Sequence, residues 1–179
     1  MYKWLTIILL IANLVLAGLF INQYQQNQNI KQSMLGQYII AQHNISDHLN
    51  DAVEHHIAGN NNAFITSLQK TAGEFRAIDK IIAPESLLGR HINSSDLMYT
   101  IHANQMNFIN ESLDKAVKDN LNDEDLSRII TFAEAMEYYA GLLDYNKLVP
   151  GNRPDRIISR IDDKLEQTSQ QYTGYVFQQ

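Results

Sequence analysis

The sequence predicts an all-α protein in which a single N-terminal transmembrane helix is followed by an up-and-down bundle of four to five amphipathic helices. The segment from Trp4 to Ile21 is uncharged and almost wholly apolar. From Ile30 onward, apolar residues recur every three or four positions, which is the period of one face of an α-helix. No segment alternates between apolar and polar residues over a useful length, so the pattern of a half-buried strand is absent.

The composition limits the classes of function. The chain has 179 residues, a net charge of -6 and a pI near 5.4. Binding to nucleic acid needs clustered Lys and Arg, and no such cluster is evident, so we expect no nucleic-acid partner. The absence of cysteine excludes disulfides, thiolate nucleophiles and Cys-ligated zinc. It also fits a bacterial surface protein better than a eukaryotic secreted one.

The apolar segment has the length and flanks of a membrane anchor. Its roughly 18 residues would span about 27 Å as a helix, close to the thickness of a bilayer core. Trp4 at one end and Tyr24 at the other suit the membrane interface, where amphipathic rings are favoured. Asn13 is the polar residue near the middle of the segment. It is either tolerated there or hydrogen-bonded to a second membrane helix.

The distribution of charge predicts the direction of insertion. Lys3 precedes the span, and the next charged residue is Lys31. The positive-inside rule therefore places the N-terminus in the cytoplasm and the C-terminal domain outside the bacterial cell membrane. Val15 and Ala17 also have the spacing of a signal-peptidase site. The apolar run continues to Ile21 without a polar break, so we expect a retained anchor, and either interpretation leaves the domain outside.

The first two helices of the bundle have clear ends. The first runs from Ile30 to about His56 and stops at Gly59 and the Asn60–Asn62 run, because Gly and Asn tolerate the left-handed conformation that ends helices. The second runs from about Ala63 to Ile82. It ends before Pro84, which pushes the preceding residue out of helical geometry.

Capping residues predict the next two helices. Ser94 or Ser95 caps the third, with Asp96 in its first turn, where a negative charge stabilises the positive end of the helix dipole. Asn122 or Asp123 caps the fourth in the same way.

A fifth helix follows a break in the chain. Pro150, Gly151 and Asn152 end the preceding segment, and Pro154 suits the first position of a helix, where its missing N–H costs nothing. Short loops favour antiparallel neighbours. The predicted organisation is a signal-anchor over 1–21, a polar juxtamembrane stalk over 22–29, a bundle over 30–172 and a tail over 173–179.

One histidine-rich cluster has the residue types of a metal site. His48, Asp51 and His55 fall within about 60° of one another on a helix, and imidazole and carboxylate are ligands for zinc or iron. The trio lies largely on the solvent side of the apolar stripe, where polar residues are expected in any case. The paired Glu-x-x-His motifs of di-iron bundles are also absent. The trio is therefore a weak candidate for a metal site.

Two other histidines coincide with apolar stripes. His56 lies at the centre of the first bundle helix's stripe, and His102 flanks that of the third. A buried neutral histidine with a hydrogen-bond partner is the ordinary interpretation. The alternative is a pH-sensitive core, because burial lowers the pKa of a histidine and protonation would then disturb packing.

No catalytic motif accompanies these features. A Gly-x-Ser-x-Gly elbow and a glycine-rich phosphate loop are both missing from the sequence, so we expect no enzyme and no cofactor. The leading hypothesis is a membrane-tethered extracytoplasmic protein that acts by binding a protein partner or a second copy of itself. The alternative is an extracytoplasmic ligand- or metal-sensing domain. By analogy with bacterial receptors, that domain would need a separate signalling partner, because the sequence has no second apolar span.

Overall fold

The structure is a computed structural model that describes residues 2–90 and 97–172. The all-α fold class is confirmed. The predicted caps Ser94, Ser95 and Asp96 lie outside the described residues. The helices of the described ranges are α1 (Tyr2–Ile57), α2 (Asn61–Ile82), α3 (Leu97–Val117), α4 (Asp123–Leu142), α5 (Tyr145–Leu148) and α6 (Pro154–Gln171).

Helix α1 joins the apolar segment to the bundle without a break. Its 56 residues extend about 84 Å. The predicted stalk, 22–29, is helical throughout. Up to Ile30 most α1 side chains are exposed, and from Lys31 onward every third or fourth residue is buried. The first bundle helix is therefore continuous with the apolar N-terminal segment.

Within the described residues, α1 is the one helix long and apolar enough to cross a membrane. Its most apolar 18-residue window has a mean hydropathy of 2.0, and none of that window is buried. These properties of length and composition fit a single N-terminal membrane span, and they fit a signal sequence as well.

Helices α1 and α2 form an antiparallel pair. Asn44 Nδ2 of α1 donates a hydrogen bond of 3.2 Å to Glu74 Oε1 of α2. The rings of His56 and Phe64 lie 5.6 Å apart near the connecting turn. Residue numbers rise along α1 and fall along α2 in the same direction, so the two helices are antiparallel, as the short connection predicts.

Helices α3 and α4 are antiparallel in the same way. The Phe108 and Phe132 rings meet edge to face at 5.2 Å, and Lys115 Nζ lies 2.8 Å from Asp125 Oδ1. Helix α1 also packs against α4, and α2 against α3. The four helices therefore run up and down around one core. Its largest fully buried side chains are Tyr38, Tyr139, Phe64, Phe75, Leu35, Ile39, Ile45, Leu49, Leu68, Ile78, Ile82 and Leu88.

Helix α6 packs against α1, α3 and α4. The backbone N–H of Met98, at the start of α3, donates to Asp162 Oδ1 at 3.1 Å. Gln167 Nε2 donates to the Tyr138 hydroxyl of α4 at 2.8 Å. These two bonds place α6 beside the end of the bundle where α3 begins and α4 ends.

Several predicted helix ends are confirmed. Asn122 caps α4, and with Asp125 it forms a reciprocal capping box. Pro154 is the first residue of α6. Helix α2 begins two residues earlier than predicted, because the Asn60 side chain accepts a hydrogen bond from the Ala63 backbone and acts as the cap.

Candidate functional site

The N-terminal half of α1 presents its apolar surface outward on all sides. Trp4 is 74% exposed, Phe20 69% and Tyr24 59%. Water would surround these side chains if no other medium covered them, and contiguous apolar surface of this extent marks an interaction with a membrane or a partner. The described part of the chain does not cover the segment.

Asn13 lies exposed in the middle of this segment. Its Nδ2 donates a hydrogen bond of 2.9 Å to the Leu9 carbonyl oxygen one turn earlier. Because this bond is made within α1, the helix accommodates the amide without help from a second helix. A helix–helix role for Asn13 remains a prediction.

A polar layer crosses the core between α1 and α4. The Tyr38 and Tyr139 hydroxyl oxygens lie 3.0 Å apart, and both side chains are buried. Burial raises the pKa of Tyr38 and the pKa of Tyr139 above their usual range, so both phenols are neutral. One turn along α1, Gln42 is fully buried. Its amide interacts with the Tyr38 hydroxyl, without a hydrogen bond of good geometry among the described residues.

His102 occupies the core as the sequence predicts. It is 3% exposed, and its ring lies 5.6 Å from that of Phe75. Neither ring nitrogen has a hydrogen-bond partner in ranges 2–90 and 97–172, so the expected partner is missing there. Burial alone lowers the pKa of His102 from 6.5 to about 4. The imidazole is therefore neutral near pH 7, with unmet capacity for hydrogen bonding in an apolar setting.

The predicted core position of His56 is wrong. The structure places His56 at an exposed position in the last turn of α1. The apolar period of α1 continues to this point, but α2 begins only five residues later and covers little of the last turn. Its ring lies 5.6 Å from the Phe64 ring.

The metal candidates span about two turns of α1. His48 and His55 are half-buried, and Asp51 is exposed. His48 Nδ1 is buried without a hydrogen-bond partner in the described part of the chain. No group of three His, Asp or Glu side chains among the described residues is placed to hold a metal ion. The structure thus does not assemble the trio into a ligand set, and the metal hypothesis gains no support.

A cleft opens at the end of the bundle farthest along α1 from the apolar segment. We call this region the distal end. The cleft has a volume of about 260 Å³. Ile57 and Val117, the last residues of α1 and α3, lie in this region and are 77% and 61% exposed. Residues that line the cleft include His56, Gly59, Phe64, Ala116, Leu121 and Leu126.

Ionic and capping contacts hold the distal end in place. Lys115 Nζ contacts Glu111 at 3.0 Å and Asp125 at 2.8 Å, which ties the end of α3 to the start of α4. The hydrogen bond from Lys115 holds the pKa of Asp125 below its usual range. Asp125 also accepts a bond from the Asn122 backbone within the capping box. The cleft is therefore built on a fixed α3–α4 turn.

The comparisons with known proteins add nothing to this geometry. No family model, no curated protein and no solved structure matches the chain. Two exposed features of the described residues are candidates for function: the apolar half of α1 and the distal end.

The distal end was not evident in the sequence. Ile57 and Val117 look there like the final members of two apolar stripes. The available signal was their position: each apolar residue stands immediately before a Gly- or Asn-containing turn, where a bundle has no neighbouring helix to cover it.

Proposed function

We propose that this chain is a non-enzymatic, single-pass protein of the bacterial cell membrane whose extracytoplasmic bundle binds a protein partner, or a second copy of itself, through the distal end. The observation that carries the proposal is the exposure of Ile57 and Val117 at the distal end. Each follows directly in sequence a residue that lines the partly apolar cleft, His56 and Ala116 respectively. Exposed apolar side chains that lie together around a concave surface are typical of protein interaction sites.

The shape of the chain supports this role. Continuous helix connects Ile21, the last residue of the apolar segment, to Ile57. The 36 intervening steps correspond to about 54 Å. If α1 crosses a membrane, the distal end is the part of the described bundle that reaches farthest from the bilayer, and a partner could approach it freely.

The size of the cleft is compatible with a protein partner. Its volume of about 260 Å³ falls below the roughly 300–1,000 Å³ of typical ligand pockets. It is large enough for one inserted side chain, and interfaces often depend on one or two such anchoring residues. The partner we infer therefore presents a protruding apolar or aromatic side chain.

The orientation rests on the charges that flank the apolar segment. Lys3 lies before it, and the 27 positions from Trp4 to Ile30 carry no charge. The positive-inside rule then puts the bundle outside the cytoplasm.

Chemical crosslinking of the full-length protein in its native membrane tests the proposal. Wild type is compared with the double variant Ile57→Ser/Val117→Ser and with the control Ile40→Ser, which alters an exposed isoleucine on the side of α1. We expect a dominant crosslinked species in wild type and in the control, and its loss in the double variant. The same species in all three proteins would refute the distal end as the binding surface.

The alternative is a ligand-sensing domain that works with a separate signalling partner. One observation favours it: both ring nitrogens of buried His102 lack hydrogen-bond partners among the described residues. Such buried atoms usually bind ordered water or a ligand. A polar ligand that satisfied them would raise the melting temperature by mass action. A broad metabolite screen on the full-length protein that gave no shift would argue against sensing.

A further inference from the structure

A second cleft lies at the opposite end of the bundle, close to the apolar segment. It has a volume of about 290 Å³ and is formed by α1 between Tyr24 and Gln32 and by the loop Gly151–Pro154. Tyr24 is three residues beyond Ile21, about 4.5 Å along the helix, and Gln32 is about 16 Å beyond it. The polar layer of a bilayer extends roughly 5–8 Å past its hydrocarbon core on each side. The Tyr24 side of this cleft would therefore lie among the lipid headgroups.

Hydrogen bonds fix the loop in this position. Gln32 Nε2 donates to the Val149 carbonyl oxygen at 2.6 Å and to that of Asn152 at 3.3 Å. Asn152 Nδ2 in turn donates to the Leu148 carbonyl oxygen at 3.0 Å. Because Gln32 belongs to α1, the loop and the helix that would enter the membrane form one unit.

The charge of this region differs from that of the rest of the chain. Lys147 is paired with Asp144 at 3.0 Å, and residues 148–160 contain Arg153, Arg156 and Arg160 but one acidic residue, Asp155, in a chain whose net charge is -6. Arg153 lines the cleft, and Arg156 follows one turn later in α6; both are exposed. The dipole of the 18-residue α6 adds a partial positive charge at the same place.

We propose that this cleft binds the headgroup of an anionic phospholipid, with Arg153 and Arg156 contacting its phosphate. A guanidinium group matches phosphate oxygens in geometry and charge, and it keeps its own charge at any physiological pH. Tyr24 contributes an amphipathic ring at the depth where such rings are favoured. The proposal rests on insertion of α1 into a membrane, which is part of the proposed function, but it is independent of the distal end.

The bound lipid would also set the orientation of the bundle relative to the bilayer. A tether of one helix leaves the bundle free to tilt, whereas a headgroup held between α1 and the start of α6 fixes one side of the bundle against the bilayer. This contact would hold the distal end away from the membrane surface.

Lipid-selective fluorescence quenching tests the proposal on the full-length protein in reconstituted bilayers. The chain has no cysteine, so Pro150→Cys, at an exposed loop position beside the cleft, supplies a single site for a fluorophore. Two bilayer preparations contain the same lipids and differ in whether the headgroup quencher is carried by the anionic or the zwitterionic phospholipid. We expect stronger quenching by the anionic lipid, because one arginine near the bilayer surface enriches anionic lipid roughly fivefold.

Two variants locate the effect. Arg153→Gln/Arg156→Gln should make the two lipids quench equally. Lys70→Gln/Arg76→Gln changes the net charge by the same amount at exposed positions of α2 and should keep the preference. A fluorophore at Asn120→Cys, at the distal end, should be quenched by neither lipid.

Each contrary result has a distinct meaning. Equal quenching by both lipids in the parent protein would overturn the proposal and leave the anchor intact. Absence of quenching by either lipid would show that the loop does not reach the headgroups, and would overturn the proposal. Loss of the preference on addition of inorganic phosphate at constant ionic strength would indicate a general phosphate site, and would also overturn the proposal.

Discussion

Acidification should destabilise the bundle through His102. The folded state holds this imidazole neutral, with its pKa lowered to about 4 by burial, whereas the unfolded chain takes up a proton near the ordinary value of about 6.5. The stability that neutral His102 contributes is therefore fully present above about pH 6.5, and it is lost as the pH falls toward 4. A difference of about 2.5 pKa units corresponds to about 3 kcal/mol, a large part of the stability of a small domain.

Urea unfolding of the full-length protein in detergent, followed by circular dichroism between pH 7 and pH 4, measures this effect. The variant His102→Leu removes the titrating group and keeps an apolar side chain of suitable size. Carboxylates such as Asp125, whose pKa lies below its usual range, also lower stability in acid, but they do so equally in both proteins. The difference in unfolding free energy between wild type and His102→Leu therefore reports the contribution of His102 alone.

As the pH falls from 6.5 to 4, the unfolding free energy of wild type should fall by about 3 kcal/mol more than that of His102→Leu. His56→Leu, which replaces an exposed histidine, serves as the control and should keep the wild-type pH dependence. Parallel curves for wild type and His102→Leu over this range would refute the reasoning, because they would show that His102 does not remain neutral in the folded chain.

Three further predictions concern stability and are tested by the same unfolding measurement. Tyr38→Phe and Tyr139→Phe should each lower the unfolding free energy by about 1–3 kcal/mol, because each leaves one buried hydroxyl without its partner. The double variant should lower it by less than the sum of the two. Strict additivity would contradict the hydrogen bond between the two hydroxyls. Gly73→Ala, in open space on α2, should stabilise the protein by up to about 1 kcal/mol. Gly89→Ala should destabilise it by more than about 3 kcal/mol, because its Cβ would overlap a backbone carbonyl oxygen; equal effects at the two glycines would exclude that close approach. Asn122→Ala should cost about 1 kcal/mol through loss of the capping box, and an unchanged stability would show that the box contributes nothing.

Local sequence patterns account for most of the helices. The caps at Asn122 and Pro154 were predictable because a helix terminus depends on its own few residues. The stalk over 22–29 has no apolar face, and it is helical because both flanking segments are helical and no Gly or Pro interrupts it. The short α5 was missed, since the four residues of Tyr145–Leu148 are too few for a helical period to appear.

The candidate sites depend on contacts between distant parts of the chain, which periodicity does not reveal. The pattern of α1 predicts a buried face but does not say where its neighbours end, so His56 was placed in the core when it lies beyond it. The distal cleft is formed by the ends of α1 and α3 and the starts of α2 and α4. The cleft beside Tyr24 depends on a hydrogen bond from Gln32 to Val149, 117 positions later in the chain.

Site-directed photocrosslinking in the native membrane tests most directly whether the anchored bundle binds through its distal end. Because the chain has no cysteine, Ile57→Cys and Ile40→Cys each provide one attachment point for a benzophenone, at the distal end and on the side of α1. We predict one dominant adduct from position 57, with a partner protein or a second copy of the chain, and none from position 40. Equal adducts from both positions, or none from position 57, would contradict the account.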